Sequence, residues 1–160
     1  MFSKVLLATD FMSASQRAFQ YLKDLAESGM VDEVILLHVI DERDIKDAQK
    51  ICVGVKTGRY SLTDVDLTTL EECEEKARKE LISHAKKELE KLKDQMPDIK
   101  VRCLVKVGEP FMEIISLAEK EKVSLIVVGS HGKGVARTKS MGSCSESVVR
   151  YATRPVLVVK

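Results

Sequence analysis

Tryptophan is absent, and only 4% of the residues are aromatic. Readers of single-stranded nucleic acid stack bases on aromatic side chains, so this scarcity argues against that class. An excess of charge of one sign is missing too. The 160-residue chain has a formal net charge of +1, which supplies no field to attract nucleic acid or an anionic membrane. No apolar run approaches the roughly 20 residues needed to cross a bilayer. The opening Met1-Phe2-Ser3-Lys4-Val5-Leu6-Leu7 reaches Asp10 too soon for a signal-peptide apolar region. It reads as the first strand of a cytoplasmic protein. Cys52, Cys73, Cys103 and Cys144 contain no CxxC pair. That points to four reduced, mostly buried thiols rather than to a metal site or a disulfide framework. No GxxxxGKS or GxxxxGKT follows the first strand, which excludes a Walker P-loop. A phosphoacceptor module of the receiver type needs an acidic pair after strand one and an acceptor Asp after strand three. The chain offers only Asp10 and Gly108-Glu109 at those places.

What the chain does contain is a glycine-rich loop in a telling position. The apolar run Leu125-Ile126-Val127-Val128 leads into Gly129-Ser130-His131-Gly132, then nine residues, then Gly142-Ser143. Ser147-Val148-Val149-Arg150-Tyr151 continues with apolar periodicity. The implied geometry is strand, loop, helix. Glycines let the backbone come close to a ligand. The N–H groups of the loop and of a new helix end have no internal partner, so they can hold an anion such as phosphate.

Five short runs of Val, Ile and Leu recur: Val5 to Ala8, Val34 to Ile40, Val101 to Val107, Leu125 to Val128 and Val156 to Val159. They are nearly continuous rather than alternating, as in strands covered on both faces. Helical stretches separate them. Ser13 and Gln16 form a capping box before Ala18, Tyr21/Leu22 and Leu25, with Gly29 at the C-terminal cap. A long helix begins between Asp66 and Thr69 and ends before Pro97, with interleaved charges that read as a solvated face. A third helix opens with Glu109-Pro110 and turns Ile114, Ile115 and Ala118 to the sheet. A fourth follows Gly142-Ser143. The predicted fold is α/β: one domain over residues 1–160, with a doubly wound five-stranded parallel sheet in the order 3-2-1-4-5 and helices on both faces. Residues 41–65 lack clear periodicity and read as an irregular insertion. Their apolar residues, Ile45, Ile51, Val53 and Val55, allow a lid, a partner surface or short extra helices.

In such a sheet ligands bind beyond the C-terminal strand ends, where the strand order reverses. Asp10 at the end of strand one and Gly129 at the end of strand four would meet in that crevice. A carboxylate there is suited to ribose hydroxyls or an adenine amino group rather than to phosphate. Helix capping is the competing reading for Asp10. The His38-Val39-Ile40 edge borders the same crevice and can offer backbone groups to a base. Ser130, Ser140, Ser143, Ser145 and Ser147 make the loop hydroxyl-rich, as phosphate ligands or as partners for loop and helix-end backbone. No acid or second base stands beside His131 and Lys133, so the loop offers donors without a catalytic pair.

These residues together resemble the universal stress protein family, in its ATP-binding branch. The resemblance rests on Val5-Leu6-Leu7-Ala8-Thr9-Asp10, His38-Val39, Gly108-Glu109-Pro110, the glycine loop and Pro155-Val156-Leu157-Val158-Val159. It covers the chain apart from residues 41–65. The family's G-x2-G-x9-G-S/T signature is met without a gap. The resemblance implies that Ala8, Thr9 and Asp10 line an adenosine pocket and that Val39 backbone atoms contact adenine. It implies that Gly129, Gly132, Gly142, Ser143 and Ser145 hold the phosphates of ATP, with Mg²⁺ or Mn²⁺ on their outer side. Ser130, His131 and Cys144 complete the candidate set. Two departures stand out: Ala8 where the family often has Pro, and the long stretch after strand two. The implied function is an ATP-binding regulatory module of the stress response. It would signal through its bound state and through a homodimer built on the C-terminal strand. The alternative is a slow ATPase or autophosphorylating enzyme in the same pocket, with Asp41, Glu42 or Asp44 as a possible base.

Overall fold

The computed structural model describes residues 1–131 and 141–160. The apolar runs become β1 (Val5–Ala8), β2 (Glu33–Ile40), β3 (Lys100–Val107), β4 (Leu125–Gly129) and β5 (Val156–Val159). They pair in parallel in the order β3-β2-β1-β4-β5, as the sequence predicts. Five helices complete the described residues: α1 (Ser13–Glu27), α2 (Glu42–Thr57), α3 (Leu67–Asp94), α4 (Pro110–Glu121) and α5 (Ser143–Tyr151). The two-residue period of the strands divides their side chains between two cores. Val5, Leu7, Val34, Leu36 and Val127 pack beneath Ala18, Phe19 and Leu22 of α1 and Leu89 of α3. Leu6, Ile35, Leu37, Ile126 and Val128 pack beneath Ile114, Leu117 and Ala118 of α4 and Val148 of α5. Both faces are covered, which is why the strand sequences are apolar throughout.

The helix ends show how local chemistry sets boundaries. Gly29, at φ +72°, follows α1. Its N–H donates to Ala26 O and that of Met30 to Leu25 O, a Schellman closure. Pro110 opens α4 as expected. Leu117 is deeply buried on α4, whereas Ile115, expected to face the sheet, is only half-buried. The expected Ser13/Gln16 capping box does not form. Met12 is the N-cap, with no side-chain cap bond. Asp10 braces the entry turn instead: its Oδ1 accepts from Met12 N at 2.9 Å and from Ser15 Oγ at 2.7 Å.

Two expectations about residues 41–65 need correction. Most of this stretch is the regular helix α2, capped by Asp41, whose side chain accepts from Arg43 N at 2.9 Å. Ile45, Gln49 and Val53 form its buried face, and Gln49 Nε2 donates to Leu70 O of α3 at 2.8 Å. The two glycines disguised this helix. Gly58, at φ +76°, is its C-cap. Gly54 lies inside it, where a Cβ would come within 2.2 Å of the Tyr60 ring. The second correction concerns cysteine. Cys52 of α2 and Cys73 of α3 form a disulfide with a Cα–Cα distance of 5.6 Å. Only Cys103 and Cys144 are free thiols. Two helices packed antiparallel bring together cysteines 21 residues apart that no sequence motif connects. Cross-linking a loop of that length stabilises a fold by about 3 kcal/mol in the chain-entropy model.

At the N-terminal ends of the strands, five charged residues share one network. Arg102 donates to Glu121 Oε2 at 2.6 Å and to Glu33 Oε1 at 3.2 Å. Lys4 Nζ lies 3.4 Å from Glu121, and Lys100 Nζ 3.6 Å from Glu33. The hydrogen bonds from Arg102, with a smaller contribution from Lys4, hold the Glu121 carboxyl at a pKa of about 2. A depressed carboxyl pKa contributes stability that is complete above the unfolded value near 4.5 and fades as pH falls through the folded value. Glu121→Gln should therefore lower the melting temperature at pH 7 by about 2–4 °C. It should also flatten the loss of stability between pH 4.5 and pH 2. Calorimetric scans of both proteins across that range check this.

Candidate functional site

The site lies at the opposite end of the sheet, where β1 and β4 are neighbours and their connections diverge. Thr9 N–H still joins the ladder, donating to Leu37 O at 2.9 Å, and Thr9 Oγ1 accepts from Phe11 N at 3.0 Å. The chain then turns sharply, with Phe11 at φ +65°. The Phe11 ring stacks on His38 with centroids 4.6 Å apart. His38 Nδ1–H donates to Thr9 O at 2.7 Å, which ties the ends of β1 and β2 together. Because Leu37 bonds toward β1, the two-residue period turns the N–H and C=O of Val39 to the same side. β1 ends at Ala8, so the Val39 backbone faces the turn that follows β1.

Gly129 closes the opposite wall. A Cβ there would lie 2.7 Å from Ala14 C and 2.8 Å from Ser15 N. Glycine is thus required for the first turn of α1 to pack against the end of β4. The same Ser15 bonds Asp10, so Asp10, Ser15 and Gly129 are contiguous.

Ser130 ties three elements together. Its N–H donates to Val159 O at 2.8 Å. Its carbonyl accepts from Gly142 N at 2.6 Å and from Ser145 Oγ at 3.2 Å. The two halves of the glycine motif are thereby clasped together. Gly142 is the N-cap of α5 and provides no side-chain cap bond. The N–H groups of Ser143, Cys144 and Ser145 lie in the first turn, where no intrahelical acceptor exists. Ser130 is 2% exposed, yet among the described residues its hydroxyl has no hydrogen-bond partner, and neither does the buried Nδ1 of His131. Such orphaned polar atoms are uncommon and call for an explanation. Gly132, Lys133, Arg137 and Ser140 lie outside the described residues.

The electrostatics favour binding over nucleophilic chemistry. Burial, reinforced by the charges of Glu109 and Asp10, pushes the Cys144 thiol up to about 11. It is protonated at neutral pH and a poor nucleophile. Asp41 and Glu42, two of the acids that could serve as a base, are engaged. Asp41 binds Arg43 at 2.7 Å, and Glu42 lies 3.6 Å from Arg78. Among the described residues no cluster of His, Cys, Asp and Glu is arranged to hold a metal ion. No helix among them is long and apolar enough to cross a membrane. Sequence reasoning missed Ser15 and the Phe11–His38 pair. The spacing of Ser15, five residues after Asp10, gives no warning of their bond.

A doubly wound parallel sheet with a glycine loop at its switch point defines a broad class of α/β crevice proteins. Comparison with known proteins narrows it. The universal stress protein family profile matches residues 1–160, and the chain belongs to that family. It is 37% identical to universal stress protein MJ0577 of Methanocaldococcus jannaschii, over 100% of this chain and 96% of that one. It is 30% identical to universal stress protein YxiE of Bacillus subtilis, over the full length of both. The solved structure of MJ0577 superposes with a TM-score of 0.79 over the same shares. Two more distant structures share the fold, at 21% and 19% identity and TM-scores of 0.54 and 0.53. One is a universal stress protein in complex with cAMP, the other an Archaeoglobus fulgidus universal stress protein in complex with dAMP.

Proposed function

We propose that this protein is an ATP-binding regulatory module that holds the nucleotide between the loops after β1 and β4. The observation that carries this reading is the buried, unpartnered Ser130 hydroxyl beside the uncapped start of α5. A phosphate would accept from that hydroxyl and from the first-turn N–H groups of Ser143, Cys144 and Ser145. Gly129 and Gly142 keep this end of the crevice free of side chains, and His131 Nδ1 can add a further contact. At the other end Ala8 and Thr9 form the floor, Asp10 Oδ2 takes a ribose hydroxyl, and the Val39 backbone pairs with adenine. Two distant relatives of this fold hold cAMP and dAMP, which supports an adenine nucleotide as the guest. Mg²⁺ or Mn²⁺ would sit on the solvent side of the phosphates.

Ser130→Ala tests the reading. Removing an unpaired buried hydroxyl leaves stability unchanged or improved. Removing a donor to phosphate should weaken ATP about tenfold or more. Unchanged ATP affinity by titration calorimetry would overturn the assignment.

The crevice binds without fast turnover. Asp41 and Glu42 are spent on α2, and Cys144 is protonated. Turnover with Mg²⁺ should lie below the range of about 1–1000 per second typical of enzymes. A phosphate-release assay reaching that range would promote the slow-ATPase or autophosphorylation reading.

The same reading includes a homodimer through β5. The other edge strand, β3, carries Lys100, Arg102 and Lys106, charges that discourage edge pairing. β5 carries none between Val156 and Val159. Pro155 O and Val159 O accept from the β4 side, so Val156 and Val158 direct their backbone groups outward. A two-fold axis makes antiparallel pairing of two β5 strands self-complementary. Val158→Pro deletes an outward N–H while leaving the β4 ladder intact, and should give a folded monomer. Sedimentation decides: a wild-type monomer at micromolar concentration, or a dimer indifferent to Val158→Pro, refutes it.

A further inference from the structure

We propose that Cys52 and Cys73 form a reversible thiol switch that holds the second half of α2 in place. Its reactant class is a small dithiol or a protein dithiol.

Little besides the disulfide secures this segment. The first half of α2 is well anchored: Ile45 is 1% exposed and packs with Ile40 and Ala77. Gln49 adds its bond to Leu70 O. Beyond residue 49 the buried side is only Val53 and Gly54, with Cys52 half-buried. Ile51 and Val55 are 61% and 77% exposed, and Tyr60, which covers Gly54, is 68% exposed. The one ion pair from this half to α3, Lys56 with Glu72 at 3.2 Å, lies in solvent and adds little. Two helical turns cannot sustain themselves in water without tertiary support. The covalent link to Cys73, which is 0% exposed on α3, is therefore the main restraint on residues 50–66. Ile45, in the first half of α2, packs on Ile40 of β2 with Val105 and Val107 of β3, whereas no residue of the second half belongs to the two main cores.

The chemistry is a two-electron exchange. A thiolate of the dithiol attacks Cys52 Sγ, the more exposed sulfur, and the S–S bond breaks. Its electron pair leaves with Cys73 sulfur, which takes up a proton. The second thiol of the reductant then attacks the mixed disulfide, closing its own disulfide and releasing Cys52, which takes up the second proton. The protein gains two thiols and the dithiol is oxidised. Reduction converts a pinned helix into a segment that opens locally while the sheet persists.

Hydrogen exchange read by mass spectrometry tests this on the full chain. Three samples are compared: the oxidised protein, the protein reduced by excess dithiothreitol in native buffer, and the Cys52→Ala/Cys73→Ala variant. Peptides covering residues 50–66 should lose at least tenfold protection in the last two samples. Peptides from β1, β2 and β4 should stay within about twofold, and reoxidation should restore the wild-type protein. Three results overturn the proposal: a disulfide that dithiothreitol cannot reduce without denaturant, unchanged protection in 50–66, or loss that spreads through the strands. If the double variant fails to fold, the reduced wild-type protein still decides the question.

Discussion

Gly129→Val should lower the melting temperature by about 6–12 °C, with a smaller loss for Gly129→Ala. The added Cβ would sit 2.7 Å from Ala14 C and 2.8 Å from Ser15 N. Both are backbone atoms of the first turn of α1, so no rotamer change relieves the clash. Either α1 lifts from β4 or the end of β4 bends. Overpacking of this kind costs typically 1–3 kcal/mol. The upper end applies where backbone meets backbone, and for a chain of this size about 3 kcal/mol corresponds to that shift. Calorimetry checks it. A valine variant melting within a degree or two of wild type would mean that α1 and β4 are not in close contact. The prediction also separates two reasons for a glycine at this position, close packing of a helix and close approach of a ligand. The first reason operates in the free protein.

Asp10→Asn should weaken ATP by roughly 5–150-fold, about 1–3 kcal/mol, the worth of a hydrogen bond to a charged group. Tripolyphosphate, which has no nucleoside, should bind nearly as before. Asparagine keeps an oxygen for Met12 N and Ser15 Oγ, so the entry turn survives, but it loses the charge offered to a ribose hydroxyl. Asp10→Ala should weaken ATP as well and cost a further 1 kcal/mol or so in stability, as loss of a helix-entry bond does. Competition calorimetry with the two ligands is decisive. Equal losses for ATP and tripolyphosphate would confine Asp10 to bracing the turn.

The strands were readable because burial on both faces leaves an unbroken apolar signature, and all five runs matched their strands to within a residue. The expected order of the sheet matches the observed one and brings the loop after β4 beside Asp10 after β1. α2 was unreadable for a local reason. Gly54 and Gly58 carry the signs of a loop, and only the Tyr60 ring explains why a glycine sits inside a helix. The Cys52–Cys73 bond depends on the packing of α2 against α3, which no pairwise spacing encodes. At the site, the glycine spacing pointed to the crevice proposed above. The bonds that shape it, Ser15 to Asp10, His38 to Thr9 and Ser130 to Gly142, join residues through tertiary contact or irregular turns. Sequence periodicity is silent about those.

Ser130 occupies a position with a mechanical consequence. Its peptide N–H holds the last residue of β5, its carbonyl holds the start of α5, and its side chain is the one left unpaired. A single residue is thus shared between the crevice and the edge strand, about one strand spacing apart. In the proposed site, displacement of Ser130 toward the nucleotide would pass directly to Val159, which its N–H holds at 2.8 Å. Whatever free energy occupancy contributes to the edge, engagement of the edge must return to occupancy in equal measure. The two events would then be read by the cell as one signal with two inputs, concentration of guest and concentration of protein.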